Sequence, residues 1–176
     1  MKYLQRSGQG SQFLLLMLSL LGVGITIYLT SVHYENIPLV CSETGLINCA
    51  RVLSSSYSVV PGTTLPITIP GFGWCVVSAS FAIVGLIATT GLWQRRIRIA
   101  QFAWVLSGLL VVLYLVYAEI VRLHTICAWC TALHVLILLL FLITLVQLQS
   151  LPSVSVISSE TEIEEAENIS ALPRSK

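Results

Sequence analysis

Charge is what this sequence has least of. Nine Lys or Arg and eight Asp or Glu among 176 residues leave 10% of the chain charged. Against this, 56% is hydrophobic and the mean hydropathy is +0.88. Soluble domains carry about 25% charged residues, so that class is excluded and an integral membrane protein is implied. The formal net charge of +1 makes no case for nucleic acid, and no nucleic-acid partner is expected.

The few charges mark where apolar runs stop. Met1 to Gly10 is short and polar, with Lys2 and Arg6, and an uncharged run follows from about 13 to 32. The basic start resembles a signal peptide, but the apolar core is too long and no small-residue cleavage site follows. It is therefore read as a first spanning helix. Pro38, Pro61, Pro66 and Pro70, with Gly45, Gly62, Gly71 and Gly73, punctuate the next stretch, which predicts an outer loop over 33–73. Further spans are expected at about 74–93, 101–121 and 127–148. Gln94 to Arg98 is read as a tight basic turn, and Arg122 to Ile126 as a very short connection. The remainder, 149–176, is Ser-rich and acidic and reads as a disordered tail. The expectation is an all-α integral membrane protein, a four-transmembrane-helix bundle over 1–148 capped by an extracytoplasmic loop.

Placement of the basic residues sets the topology. Four spans put Lys2, Arg6, Arg95, Arg96, Arg98, Arg174 and Lys176 on one side, with only Arg51 and Arg122 on the other. Positive residues favour the cytoplasm, so both termini are expected there. Cys41, Cys49, Cys127 and Cys130 then face the outer compartment, where disulfides persist. Cys75 falls in a span and is read as a buried packing thiol.

Cys127-Ala128-Trp129-Cys130 stands at the mouth of the last apolar run. Residues three apart on a helix have Cα atoms about 5 Å apart, inside the window a disulfide tolerates. If Cys127 opens the helix, unpaired N–H groups and the positive end of the dipole favour its thiolate, the species that attacks disulfides.

The loop reads Cys41-Ser42-Glu43-Thr44-Gly45-Leu46-Ile47-Asn48-Cys49-Ala50-Arg51-Val52-Leu53-Ser54-Ser55-Ser56-Tyr57, with the CxxC two spans later. The spaced loop pair, the Cys-x-Arg-Val-x-Ser-Ser run and the membrane-edge CxxC together resemble the vitamin K epoxide reductase family, prokaryotic branch, over about residues 10–148. The resemblance implies a bundle with a quinone (ubiquinone, menaquinone, plastoquinone or phylloquinone) in its outer end. It casts Cys41 as the thiol that exchanges with a thioredoxin-fold (DsbA-like) protein, Cys49 as the relay to Cys127, and Cys130 as the thiol acting on the quinone. Ser55 occupies the place of a loop serine that supports the site, and Tyr57 is grouped with it at the quinone. Many bacterial relatives carry a fifth span and a fused thioredoxin-like domain. Neither is read in this sequence, so the partner is expected to be a separate protein unless the chain is a truncated form. The resemblance thus implies a membrane thiol–quinone oxidoreductase that supports disulfide-bond formation, in a plasma or thylakoid-type membrane.

One departure matters for the site. Where animal members carry a tyrosine one turn after the CxxC, this chain has His134, which is able to donate the same hydrogen bond. It lies four residues after Cys130 and so projects from the same helix face. Other readings stay open. A reductase of the DsbB type also has four spans and two thiol pairs, though in the reverse order, and a non-enzymatic tetraspan scaffold would use the cysteines as staples. An all-cysteine zinc site is disfavoured by the presence of one CxxC alone, and no metal is expected. Glu119 is an acid inside the third span, read as pairing with Arg122 three residues on. His33 and His124 are read as interfacial, and the Asn168 sequon is set aside because its tail is placed in the cytoplasm.

Overall fold

The structure, a computed structural model, describes residues 2–35, 41, 47–87 and 91–150. Five α-helices are present among them: α1 (Lys2–Glu35), the short α2 (Cys49–Leu53), α3 (Thr68–Ile87), α4 (Gly91–Tyr117) and α5 (Ala128–Gln149). A π-helical segment, Ala118–Leu123, continues α4. Among the described residues four stretches are long and apolar enough to cross a membrane: Gln9–Glu35, Thr68–Ile87, Trp93–Leu123 and Ala128–Gln149. Each is predominantly apolar, with no strongly polar face set against an apolar one, as expected for helices that meet either lipid or one another. The chain is an all-α membrane protein. Residues 1, 36–40, 42–46, 88–90 and 151–176 lie outside the described residues.

The second span and the start of the third differ from the sequence reading. The second span begins at Thr68 rather than near 74, taking in Pro70, Gly71 and Gly73. Pro70 sits in the first helical turn, where its missing N–H has no intrahelical acceptor to lose. The span ends at Ile87, and Gln94 to Arg98, read as a turn, is helical in α4. Gln and Arg are good helix formers, so charge alone does not break the helix.

The helices run alternately up and down, α1 against α3 and α4 against α5. Their centre is a layer with one residue from each: Leu15 (α1), Ala82 (α3), Val105 (α4) and Leu140 (α5). Toward one end lies a polar layer. The side-chain amide of Gln12 donates to Gln101 Oε1 at 3.2 Å and to Gln147 Oε1 at 2.9 Å, and all three side chains are buried. Gly85 of α3 admits this amide, since a Cβ there would lie 2.8 Å from it. Arg98 reaches the same end, donating from Nη1 to the Gln147 carbonyl oxygen at 3.3 Å. Between helices lacking a hydrophobic driving force, such polar and small-residue contacts fix register. Toward the other end, Ile25, Leu29 and Leu136 form a second apolar layer. Beyond it come the cysteines.

Candidate functional site

The site is assembled from two pieces of chain distant in sequence. The first is the loop after α1. Asn48, in extended conformation, caps α2: its Oδ1 accepts from the Arg51 N–H at 2.9 Å. Ser54, Ser55 and Ser58 each return a hydroxyl to a carbonyl three residues back, Ser55 to Val52 at 2.7 Å and Ser58 to Ser55 at 2.7 Å, so the serine run closes the carboxyl end of α2. Val60, Pro61, Gly62 and Thr63 then form a tight turn, with Thr63 N–H donating to the Val60 carbonyl at 3.0 Å. Gly62 has φ +79, and proline followed by a positive-φ glycine is the signature of a type II turn. The chain returns through a Val59–Pro66 bridge into α3.

The second piece is the approach to α5. The π segment ends at His124, which is left-handed (φ 50, ψ 35), and the N–H groups of His124 and Thr125 both donate to the Glu119 carbonyl. Cys127 is then the N-cap of α5, its Sγ accepting the N–H of Cys130 at 3.3 Å. This is the helix-opening position inferred from the sequence. The hydrogen bond from the Cys130 thiol, joined by backbone N–H groups, holds the Cys127 thiol below its ordinary pKa; burial and the nearby Glu119 carboxylate oppose it.

The two pieces are stitched by a parallel bridge between Ile47 and Ile126, with Asn48 N–H donating to the Ile126 carbonyl at 3.2 Å. Two residues beyond Ile47 and one beyond Ile126 the cysteines meet. Cys41 and Cys49 form a disulfide, while Cys127 and Cys130 are free thiols. Cys49 and Cys127, both 0% exposed, share one cluster with Val52, and Cys41 and Cys130 pack against it. Trp129, between the two thiols of the CxxC, lies against Tyr28 of α1 with ring centroids 4.9 Å apart.

Behind the CxxC a cavity of about 300 Å³ opens among the helices, apolar on nearly all its wall. Cys130, His134 and Tyr57 line it, as does Cys75. Ser55 does not; its hydroxyl is committed to Val52, and Ser58 stands on the wall in its place. Cys75 is buried with its Sγ over Gly22, where a Cβ would come within 2.9 Å. The wall also holds His33, Trp74 and Glu119, none of which the sequence reading assigned to the site. For His33 no sequence signal existed, because its position at a span end fits interfacial residues equally well. For Glu119 the signal was its place inside a span, but the expected Arg122 pair is not formed: Glu119 is buried and Arg122 exposed. The π geometry widens the turn and takes residues three apart off a common face.

Two cysteine pairs converging at one end of an apolar four-helix bundle, one oxidised and one reduced, are the working parts of a membrane thiol–disulfide oxidoreductase. The vitamin K epoxide reductase family matches residues 13–145, and the chain belongs to that family. Members are membrane oxidoreductases that exchange thiols and disulfides with the help of quinones. No curated protein matches the chain.

Proposed function

We propose that the chain oxidises a thioredoxin-fold partner and passes two electrons from the loop pair through the CxxC to a quinone, in support of disulfide-bond formation. The observation that carries this reading is the packing of Cys49 against Cys127 in one fully buried cluster, with the loop pair closed and the CxxC open. Cys41, less buried than Cys49, is the sulfur a partner reaches. The partner's thiolate attacks Cys41, a mixed disulfide forms, and Cys49 is released as the nucleophile for Cys127. Attack on Cys127 in a closed CxxC breaks its bond to Cys130, which leaves as a thiolate beside the cavity. Direction follows reduction potentials, with about 30 mV for each 1.4 kcal/mol.

The cavity suits a quinone ring. Its wall is apolar, its volume is at the small end of ligand pockets, and Cys130 stands on it beside His134 and Tyr57, whose ring N–H and phenol O–H are donors for a quinone oxygen. A bound quinone supplies a two-electron, two-proton acceptor. The chain's own part is to hold Cys130 at the wall, to present a donor from His134, and to exclude water with the loop cap built on Pro61, Gly62 and Pro66. The charge distribution supports an orientation with both termini in the cytoplasm and all four redox cysteines outside, in a plasma or thylakoid-type membrane.

The test is to trap the relay. In Cys130→Ala the Cys127 thiolate attacks Cys49 of the closed loop pair, the Cys41–Cys49 bond breaks and Cys41 leaves as a thiolate; with no Cys130 to resolve it, the Cys49–Cys127 bond is expected to accumulate in non-reducing peptide mapping. Cys49→Ala is expected to hold the partner on Cys41. A Cys41–Cys127 bond in Cys130→Ala would exchange the roles of the two loop cysteines.

A further inference from the structure

Glu119 is the feature of this site that the relay leaves without a task. It is 7% exposed, in the wall of an apolar cavity, and within the π segment that closes α4. Its backbone carbonyl accepts the N–H groups of His124 and Thr125, just before Cys127, and its side chain shares the cavity wall with Cys130. Among the described residues no Lys or Arg forms an ion pair with it. A carboxyl at membrane depth is costly unless it is paired or functional, and π segments concentrate at functional sites. The titratable groups sharing its cavity are Cys130 and His134 from α5, His33 from α1, Tyr57 from the loop and Cys75 from α3. Cys127 adjoins it from the mouth of α5, while Arg122 and His124 on its own segment are exposed.

We propose that Glu119 is the proton carrier of the CxxC: its carboxylate accepts, one at a time, the protons shed as Cys127 and Cys130 close to a disulfide, and its carboxyl returns them when the pair opens. This rests on the reading of Cys127 and Cys130 as the electron-passing pair. Closing the pair breaks two S–H bonds, forms one S–S bond and releases two electrons and two protons. The electrons go to the quinone-class acceptor proposed above. The protons pass through Glu119 to the cavity, where His134 stands on the same wall.

The decisive measurement is an infrared difference spectrum, disulfide minus dithiol, recorded electrochemically on the purified full chain without added quinone. Glu119→Gln and Glu119→Asp are compared with the wild type in a Cys75→Ala background, and the thiol state is followed by mass spectrometry. The wild type is expected to show a carboxyl C=O band that changes with thiol oxidation. The band should vanish in Glu119→Gln and return, displaced, in Glu119→Asp. Alongside, dithiothreitol-driven quinone reduction is expected to fall about 100-fold in Glu119→Gln, the scale of a lost acid–base group, with partial recovery in Glu119→Asp. Thiols that cycle with no carboxyl signal, or with one that persists in Glu119→Gln, overturn the inference. Should Glu119→Gln fail to fold, a band that moves between wild type and Glu119→Asp supports the assignment, and one that does not move overturns it. CxxC thiols that do not convert at all overturn the relay itself, and the inference with it.

Discussion

Asn48 holds the loop to the CxxC by its backbone and shapes the loop by its side chain. Its N–H donates to the Ile126 carbonyl at 3.2 Å, one residue before Cys127, while its Oδ1 caps α2 one residue before Cys49. A single residue therefore sets the approach of the two buried sulfurs.

Asn48→Ala keeps the backbone bond and removes the cap, which is expected to cost about 1 kcal/mol. Asn48→Asp, which caps equally well, should restore it. Thermal unfolding in detergent measures the first effect. Stopped-flow transfer from the loop pair to the CxxC measures the second, and it should slow in Asn48→Ala while remaining near wild type in Asn48→Asp.

Cys127 should react as a thiolate at lower pH than an ordinary cysteine. Its folded pKa is depressed, first by the Cys130 thiol, so the associated stabilisation is full above the unfolded value of about 8.5 and is lost as pH falls through the folded one. Cys130→Ala removes the largest cause. The alkylation profile of Cys127 in the reduced chain, followed by peptide mass spectrometry, is expected to move to higher pH in that variant. An unmoved profile would assign the depression to the helix terminus alone.

The glutamine layer at the far end should govern stability without touching the chemistry. Gln12→Leu deletes two interhelical hydrogen bonds and leaves Gln101 and Gln147 buried, at an expected cost of about 1–2 kcal/mol for bonds of this kind in a membrane. Unfolding in mixed detergent micelles measures the loss. Trapping of the Cys49–Cys127 bond in a Cys130→Ala background should be unchanged, because a layer of apolar residues from all four helices, Leu15 among them, separates the two ends.

The four long helices were legible from hydropathy, because lipid demands an unbroken apolar run whatever the neighbours are. Their ends were less so. Pro70 and the Gln94 to Arg98 run look like interruptions, yet a proline is harmless in a first turn and arginines are sound helix formers. That the loop pair and the CxxC stand at the same end of the bundle was legible from their places at the ends of apolar runs, and the fold brings all four cysteines into one cluster. Ser55 and Glu119 were not legible. Whether a loop serine turns to a cavity or to the carbonyl of Val52 depends on how α2 is capped, and no local pattern states that.

Composition alone was enough to settle that this chain lives in a membrane and crosses it with helices, because these follow from apolar run length, and the reach of two sulfurs on one helical turn made the CxxC a candidate for thiol chemistry. Folding was needed to bring Cys49 against Cys127, to put Glu119 on a cavity wall away from Arg122, and to gather Gln12, Gln101 and Gln147 into one layer. These contacts join residues 78, 89 and 135 positions apart for Cys49–Cys127, Gln12–Gln101 and Gln12–Gln147. A side chain's partner at such separations is chosen by helix rotation and crossing, quantities that helices without a distinct polar face do not write into their sequence.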